Sequence, residues 1–494
     1  MKFKFEHLGP IKEGDVELGD LTIICGRNNV GKTYVSHSIW GLLNQEKFEL
    51  RDFSKRLFDL TINEITIDFF KKDYNPSVKS DAISFPIPLK NLNISLNLND
   101  FTTRFVREGL QNTFNTDSNF FANTNITIEL FNQFTNKGKV FFSLKENTEL
   151  YQKLVSTSFL YKASFFEMLD IEMKKEIDDE DITFTYTTHS GLLNRSDITP
   201  IDVAPTILSD WITSFIFPNT KIITSERTGI ALFLPSLDKK ASEIAKKLTR
   251  SIHANNIKSY LASQRKEIGL YPVYGDPIQD NIDTIRASLT NKSKSELIQK
   301  SPYLLDMLND FIGGEFNSSE KGITFKTSDN KAIPLHVVSS SAKSLFLIEH
   351  YIKKEAKVGE LLIIDEPELN LHLDNQIKMA RLIAALINSG VKVLITTHSD
   401  HLIRELNNLI MLSSSKLSSI KLDEFKKDNK NISNSIIVPE KVKAYVVSKS
   451  NNCIFKMDVG EFGVSMKLFN DEINSNNKYT KEIYYSLLES SCDD

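Results

Sequence analysis

The chain has 494 residues, of which 40% are hydrophobic and 25% charged, the proportions of a chain that buries a core rather than staying disordered. Lys+Arg number 60 against 64 Asp+Glu, a formal charge of −4, so no global basic field imposes nucleic-acid binding, and only a local basic groove stays open. Three widely spaced cysteines (Cys25, Cys453, Cys492) exclude a disulfide scaffold and a cysteine-rich zinc site. No apolar run approaches the roughly 18 residues of a membrane span, and the start, MKFKFEHLGPIKEGD, lacks the apolar core of a signal peptide. A cytoplasmic protein is expected.

In chain order, Phe3 and Phe5 alternate with lysines as a half-buried strand does. Leu21–Cys25 is a short apolar strand, and 26–33 is a loop. Val35, Ile39 and Leu43 recur at helical spacing, so a helix begins near Lys32. From 44 to 220, polar stretches alternate with short strands (126–131, 140–144) and helices (101–114), and Asp178–Asp181 reads as an exposed turn. Ile244, Leu248, Ile252, Leu297 and 304–308 give a helical insertion without sustained heptads, ended by Gly313-Gly314. Strands over 323–325 and 333–338 then lead into a helix over 342–353. A strand (361–364), a helix (375–387) and a strand (391–396) follow, the order of a parallel sheet with crossover helices. The tail offers a hairpin, 444–447 with 453–458, and a last helix.

Gly26-Arg27-Asn28-Asn29-Val30-Gly31-Lys32-Thr33 satisfies G-x-x-x-x-G-K-[ST] between a strand and a helix. A polyphosphate needs many donors in a tight arc. The two glycines let successive N–H groups turn inward at a helix N-terminus. Lys32 reaches the β- and γ-phosphates, and the Thr33 hydroxyl ligates Mg²⁺. The pattern predicts a nucleotide site.

Leu361-Leu362-Ile363-Ile364-Asp365-Glu366 sets two carboxylates at the end of a buried strand, where open α/β sheets place their chemistry. Asp365 is the candidate Mg²⁺ holder, directly or through water, and Glu366 the candidate base for the attacking water. His398 follows the next strand in Thr396-Thr397-His398-Ser399 and is a candidate γ-phosphate contact.

Glu366-Pro367-Glu368-Leu369-Asn370-Leu371-His372-Leu373-Asp374-Asn375-Gln376 is similar to the E-P-E-x-x-L-H-P-x-x-Q run of OLD-like ATPases, with Leu373 in place of the usual proline. Thr224-Ser225-Glu226-Arg227-Thr228-Gly229 resembles a segment of bacterial ABC-type defence ATPases. On these residues the chain resembles ABC-type ATPases of the SMC/OLD-like kind. Those of bacterial antiphage defence, the AriA type of the PARIS system and the PtuA type of Septu and retron systems, are the members it most resembles.

The resemblance implies an α/β fold, an ABC-ATPase head with a mixed sheet flanked by helices, split by a large insertion with a helical part. The implied division is 1–45, an N-terminal lobe with the phosphate loop; 46–220, a mixed insertion and the rest of that lobe; 221–312, a helical insertion; 313–413, a C-terminal lobe; and 414–494, an extension. It also implies a signature turn aimed at the partner subunit's γ-phosphate, here Ser339, Ser340, Ser341 and Lys343, with serines replacing both usual glycines. That replacement favours slow hydrolysis, or ATP used mainly as dimer glue.

The implied cofactors are ATP and Mg²⁺. The implied partners are a second copy across an ATP sandwich and a separately encoded, nuclease-like effector. A larger homo-oligomer, a phage-encoded trigger and nucleic acid stay open. The stretch after His398 lacks the separated Glu and Asp-x-Asp cluster of a Toprim nuclease; Asp471-Glu472 and Asp493-Asp494 are isolated pairs. The chain is therefore expected not to cut nucleic acid itself. The competing reading is a DNA-engaging repair or condensation ATPase, with Lys239, Lys240, Lys246, Lys247 and Arg250 lining a basic groove.

Overall fold

The computed structural model describes residues 1–44, 58–62, 83–130, 139–143, 148–165, 169–188, 207–208, 211–233, 274–290, 293–319, 322–327, 329–428, 432–466 and 477–484. The helix expected around Ile244–Ile252, the lysines of the suggested basic groove and both C-terminal acidic pairs lie outside them. The chain forms two compact units. One holds residues 1–4, 41–110 and 122–219, and the other 5–40, 111–121 and 220–494.

Among the described residues, the first unit carries two antiparallel sheets. One orders Ile83–Pro88, Asp181–Thr188, Leu169–Lys175 and Phe159–Phe165, and the other Phe58–Ile62, Leu92–Asn97 and Lys139–Ser143. Ile171 and Met173 alternate with exposed or half-buried neighbours, the period of a sheet with one covered face. Asp178, at φ 65°, sits in an exposed turn, as predicted.

The second unit is built on one six-stranded sheet. Its elements in chain order are β1 (Leu21–Cys25), α1 (Lys32–Leu43), β2 (Thr220–Ile223), α2 (Asp276–Ser288) and α3 (Tyr303–Ile312). A three-stranded antiparallel sheet follows: β3 (Gly314–Ser319), β4 (Gly322–Thr327) and β5 (Ala332–Pro334). Then come α4 (Ser340–His350), β6 (Leu361–Asp365), α5 (Leu373–Asn388), β7 (Lys392–Thr397), α6 (Asp400–Met411), β8 (Val442–Val447) and β9 (Ile454–Met457). The large sheet runs β2-β6-β7-β1-β8-β9, parallel except for the antiparallel β8–β9 pair. It is the mixed sheet flanked by helices that the family resemblance implies.

Four residues of β6, Leu361 to Ile364, are fully buried. Each such side chain contributes about 1.5–3 kcal/mol, which explains an uninterrupted apolar run in a strand covered on both faces. Leu362 and Ile364 join Ile23, Val393 and Ile395 in one apolar cluster with Met379 and Ile383 of α5 and Leu402 and Leu406 of α6.

Two boundaries differ from the sequence reading. The strand expected over 333–338 stops at Pro334, which has no N–H for a ladder, and a 3₁₀ turn over 335–337 follows. The helix expected over 342–353 starts at Ser340, because the Ser339 hydroxyl accepts from Ala342 N at 3.2 Å and caps it. Among the described residues no helix is long and apolar enough to cross a membrane.

Candidate functional site

Register decides where the site lies. Asp365 pairs with Thr396, and Thr397 with Cys25, so β6, β7 and β1 end at one edge of the sheet. The phosphate-loop pattern, the acidic pair and Thr397-His398 all follow those ends.

The loop leaves β1 at Gly26 and enters α1 at Lys32. Gly26 and Gly31 take φ 153° and 105°. A Cβ there would meet the Val447 carbonyl oxygen at 2.9 Å and Pro10 Cγ at 2.8 Å, so neither position admits a side chain. Arg27, Asn28 and Asn29 are exposed and Val30 is buried. Lys32 Nζ donates to the carbonyls of Gly26 (3.0 Å) and Arg27 (2.9 Å). Burial pushes its ammonium pKa down, and the carboxylates of Glu366, Asp365 and Glu368 oppose that push.

Asp365 is held through both carboxylate oxygens. Thr33 Oγ1 donates to Oδ2 at 3.2 Å, and Thr396 Oγ1 donates to Oδ1. The Thr33 hydroxyl beside this carboxylate is a hard oxygen donor set, which fits Mg²⁺.

Glu366 has φ 48°, a left-handed conformation that costs an L-residue about 1–2 kcal/mol. Its N–H donates to the carbonyl and the hydroxyl of Thr396, both at 3.1 Å, and its carbonyl accepts from Arg227 Nη2 at 2.7 Å. His398 Nδ1 stands 3.7 Å from Glu366 Oε1 and 3.4 Å from Glu368 Oε1. The first distance is that of an ion pair rather than a hydrogen bond. The Glu366 carboxylate raises the imidazole pKa against the pull of burial, and the imidazole lowers that of Glu366. Buried Glu368 fixes this corner, because its Oε1 accepts from Thr397 Oγ1 (2.8 Å) and from His398 N (2.9 Å). Ser399, next along, donates to Gln376 Oε1 at 2.6 Å.

Arg227 is 1% exposed and donates to four carbonyls. They belong to Ser344 (3.1 Å), Thr224 (3.1 Å), Asp365 (2.9 Å) and Glu366 (2.7 Å). One guanidinium thus joins the end of β2, the end of β6 and the first turns of α4. Burial lowers its pKa to about 10, which leaves it charged at neutral pH.

The serine segment opens α4. Ser339 and Ser340 are exposed at its N-terminus and Ser341 is half-buried. Lys343, in the first turn of α4, is buried, as Lys32 is in the first turn of α1. Cys25, ending β1, is buried and its thiol is pushed up to about 12, so it is not a nucleophile.

A family profile described as an AAA ATPase domain matches residues 2–403, well over half of the chain. The chain belongs to this AAA ATPase domain family. The ATPase has no match among curated protein sequences. Among solved structures it is similar to the SMC head domain from Thermotoga maritima, at 11% identity and a TM-score of 0.29, covering 93% of this chain and 98% of that one. It is also similar to the Pyrococcus furiosus Smc head domain with an extended coiled coil bound to the C-terminal domain of ScpA, at 10% identity and TM-score 0.28, covering 98% of both chains. A third, the SmcHead bound to the C-winged helix domain of ScpA, gives 10%, 0.30, 92% and 96% in the same order.

Glu368, Thr396, Gln376 and Arg227 were not among the site residues read from the sequence. Arg227 had one signal: a charged residue one position before Thr228-Gly229, just after an apolar strand, in a segment whose pattern already stood out. Replacing it in the ATPase with Met removes four hydrogen bonds from a charged donor, at about 1.5–3 kcal/mol each, in part offset by relaxation and by the Arg227 and Leu369 N–H groups that still serve the Thr224 and Glu366 carbonyls. Arg227→Met is expected to cost about 3–5 kcal/mol in urea unfolding, and Arg227→Lys, which keeps the charge, clearly less. Equal stability of Arg227→Met and the parent protein rules this bonding out as a structural support.

Proposed function

We propose that this ATPase binds ATP and Mg²⁺ at the β1–β6–β7 edge and hydrolyses ATP slowly. We propose further that it closes on a second copy around the nucleotide and so controls a separately encoded effector in antiphage defence. The carrying observation is the convergence of Lys32, Thr33, Asp365, Glu366 and His398 on that edge. Lys32 exchanges two neutral carbonyls for phosphate oxygens, which are stronger partners for an ammonium. Thr33 and Asp365 hold Mg²⁺, whose charge steadies the β- and γ-phosphates when it is bound. Glu366 takes the proton of the attacking water, and His398 donates toward the γ-phosphate. Glu368 holds the main chain at His398 N and lies 3.4 Å from its Nδ1, so the imidazole stands between two carboxylates.

The shared site rests on the exposed, serine-capped N-terminus of α4, whose first-turn N–H groups suit an anion. Ser339, Ser340 and Ser341 would meet the γ-phosphate held by the other copy, a larger homo-oligomer being a further assembly of such pairs. Lys343, in the first turn of the same helix, would add its charge there. The effector and the antiphage role rest on the sequence resemblance of Thr224–Gly229 and Glu366–Gln376 alone.

Mixing two inactive variants tests the shared site. Ser340→Arg blocks the seam but leaves the local cradle intact, and Glu366→Gln removes the base. In an equimolar mixture the base of the first chain meets the signature of the second, so activity returns to about a quarter of the parental rate if dimers form at random. No recovery in a mixture shown to contain heterodimers overturns the shared site. A plaque assay with the neighbouring genes present tests the role in defence: protection that survives Lys32→Ala overturns it.

A further inference from the structure

His37 lies four residues after Thr33 on α1, one turn along the same face. It is 6% exposed, and its Nε2 has no hydrogen-bond partner. That nitrogen is 3.9 Å from Asp365 Oδ2, the oxygen to which Thr33 Oγ1 also donates. The Phe114 ring lies nearly parallel to the imidazole, centroids 6.0 Å apart and 19° between planes, and stacks on Tyr34 as well. The ring is therefore fixed with one bare nitrogen aimed at the Asp365 carboxylate. An imidazole that only fills a core has its nitrogens paired, because an unpaired buried one costs about 1–3 kcal/mol. Leucine or phenylalanine would fill this place without that cost.

We propose that His37 is a positioning residue of the metal–nucleotide site: its Nε2 accepts a hydrogen bond from a water of the Mg²⁺ shell that Asp365 and Thr33 hold. This rests on the nucleotide-site reading above. A separation of 3.9 Å is too long for a direct bond, and a water about 2.8 Å from both atoms fits it once the metal's shell opens the packing that now closes Nε2 off. Mg²⁺ keeps several of its waters when proteins bind it. A metal-bound water has given its lone pair to the ion, so it can only donate and needs acceptors. The Asp365 carboxylate is one and the bare imidazole nitrogen supplies the second. Outer contacts of this kind orient the ligands and tune metal affinity.

The test measures binding of a fluorescent ATP analogue in the Glu366→Gln background, first in EDTA and then against increasing Mg²⁺. His37→Phe keeps the ring and its stacking but removes the nitrogen. It is expected to bind the analogue normally in EDTA and to need about tenfold more Mg²⁺ for the full response. His37→Gln, whose amide oxygen reaches the place of Nε2, is expected to recover most of that shift. An unchanged Mg²⁺ requirement in His37→Phe overturns the proposal, as does an equal loss in EDTA, which marks a packing role. The protein with His37 intact gives a second measurement that does not depend on a variant folding. With Mn²⁺ and ATP, electron spin echo is expected to show weak nitrogen coupling through a water, and a directly bound nitrogen, or none, overturns the proposal. Analogue binding that ignores Mg²⁺ with His37 intact overturns the nucleotide–metal reading itself, a separate failure.

Discussion

Glu366→Gln is expected to lower the ATP turnover rate by about 10²–10⁴-fold, the range for removing a general base, while ATP stays bound. The amide keeps the shape of the carboxylate and has no basic oxygen for the water's proton. It also removes the negative charge beside His398, at 3.7 Å, so the imidazole loses one of the two carboxylates that raise its pKa and keeps Glu368. The left-handed backbone of residue 366 is held by Thr396 and Arg227 through main-chain atoms, so the exchange leaves that support in place. With hydrolysis stopped, ATP should accumulate in a closed dimer, read as a doubled mass by light scattering. Turnover equal to that of the parent protein would place the base elsewhere.

Lys32→Ala should weaken ATP binding by about 10–100-fold, since a hydrogen bond to a charged group contributes about 1.5–3 kcal/mol. The stability of the protein should change little. Lys32 Nζ donates to the Gly26 and Arg27 carbonyls, both in the phosphate loop itself, so truncation unties the loop and leaves the sheet's own ladder in place. The separation of the two effects is the point of the experiment. A large drop in the urea midpoint together with near-parental ATP affinity would make Lys32 a structural residue of the loop. Calorimetric titration with ATP and a urea melt on the same preparation decide between them.

Local patterns carried most of the site. The apolar run of β1 with the glycine-lysine-threonine loop behind it, and the unbroken Leu361–Ile364 stretch with two acids after it, are readable because each is set by near neighbours in the chain. An apolar strand must be covered on both faces, and a loop that turns sharply needs glycine where a Cβ would collide. The helix boundaries around α4 were readable only in part. Whether Ser339 or Ala342 starts the helix depends on which side chain caps it, and several serines compete for that position.

What the sequence could not supply is adjacency. Arg227 is separated from Asp365 by 138 positions, and its four acceptors are main-chain carbonyls, which no residue type advertises. His37 reads as one polar residue on a mostly buried helix until β6 lies against α1 and brings Asp365 within 3.9 Å of it. Periodicity and backbone sterics over a few residues set most of the strands, the loop and the chemical types at their ends. Packing set which side chains share a carboxylate and which helix face is covered. Those depend on parallel strands paired across more than three hundred residues, and the energy of such contacts belongs to the packed sheet rather than to any local segment.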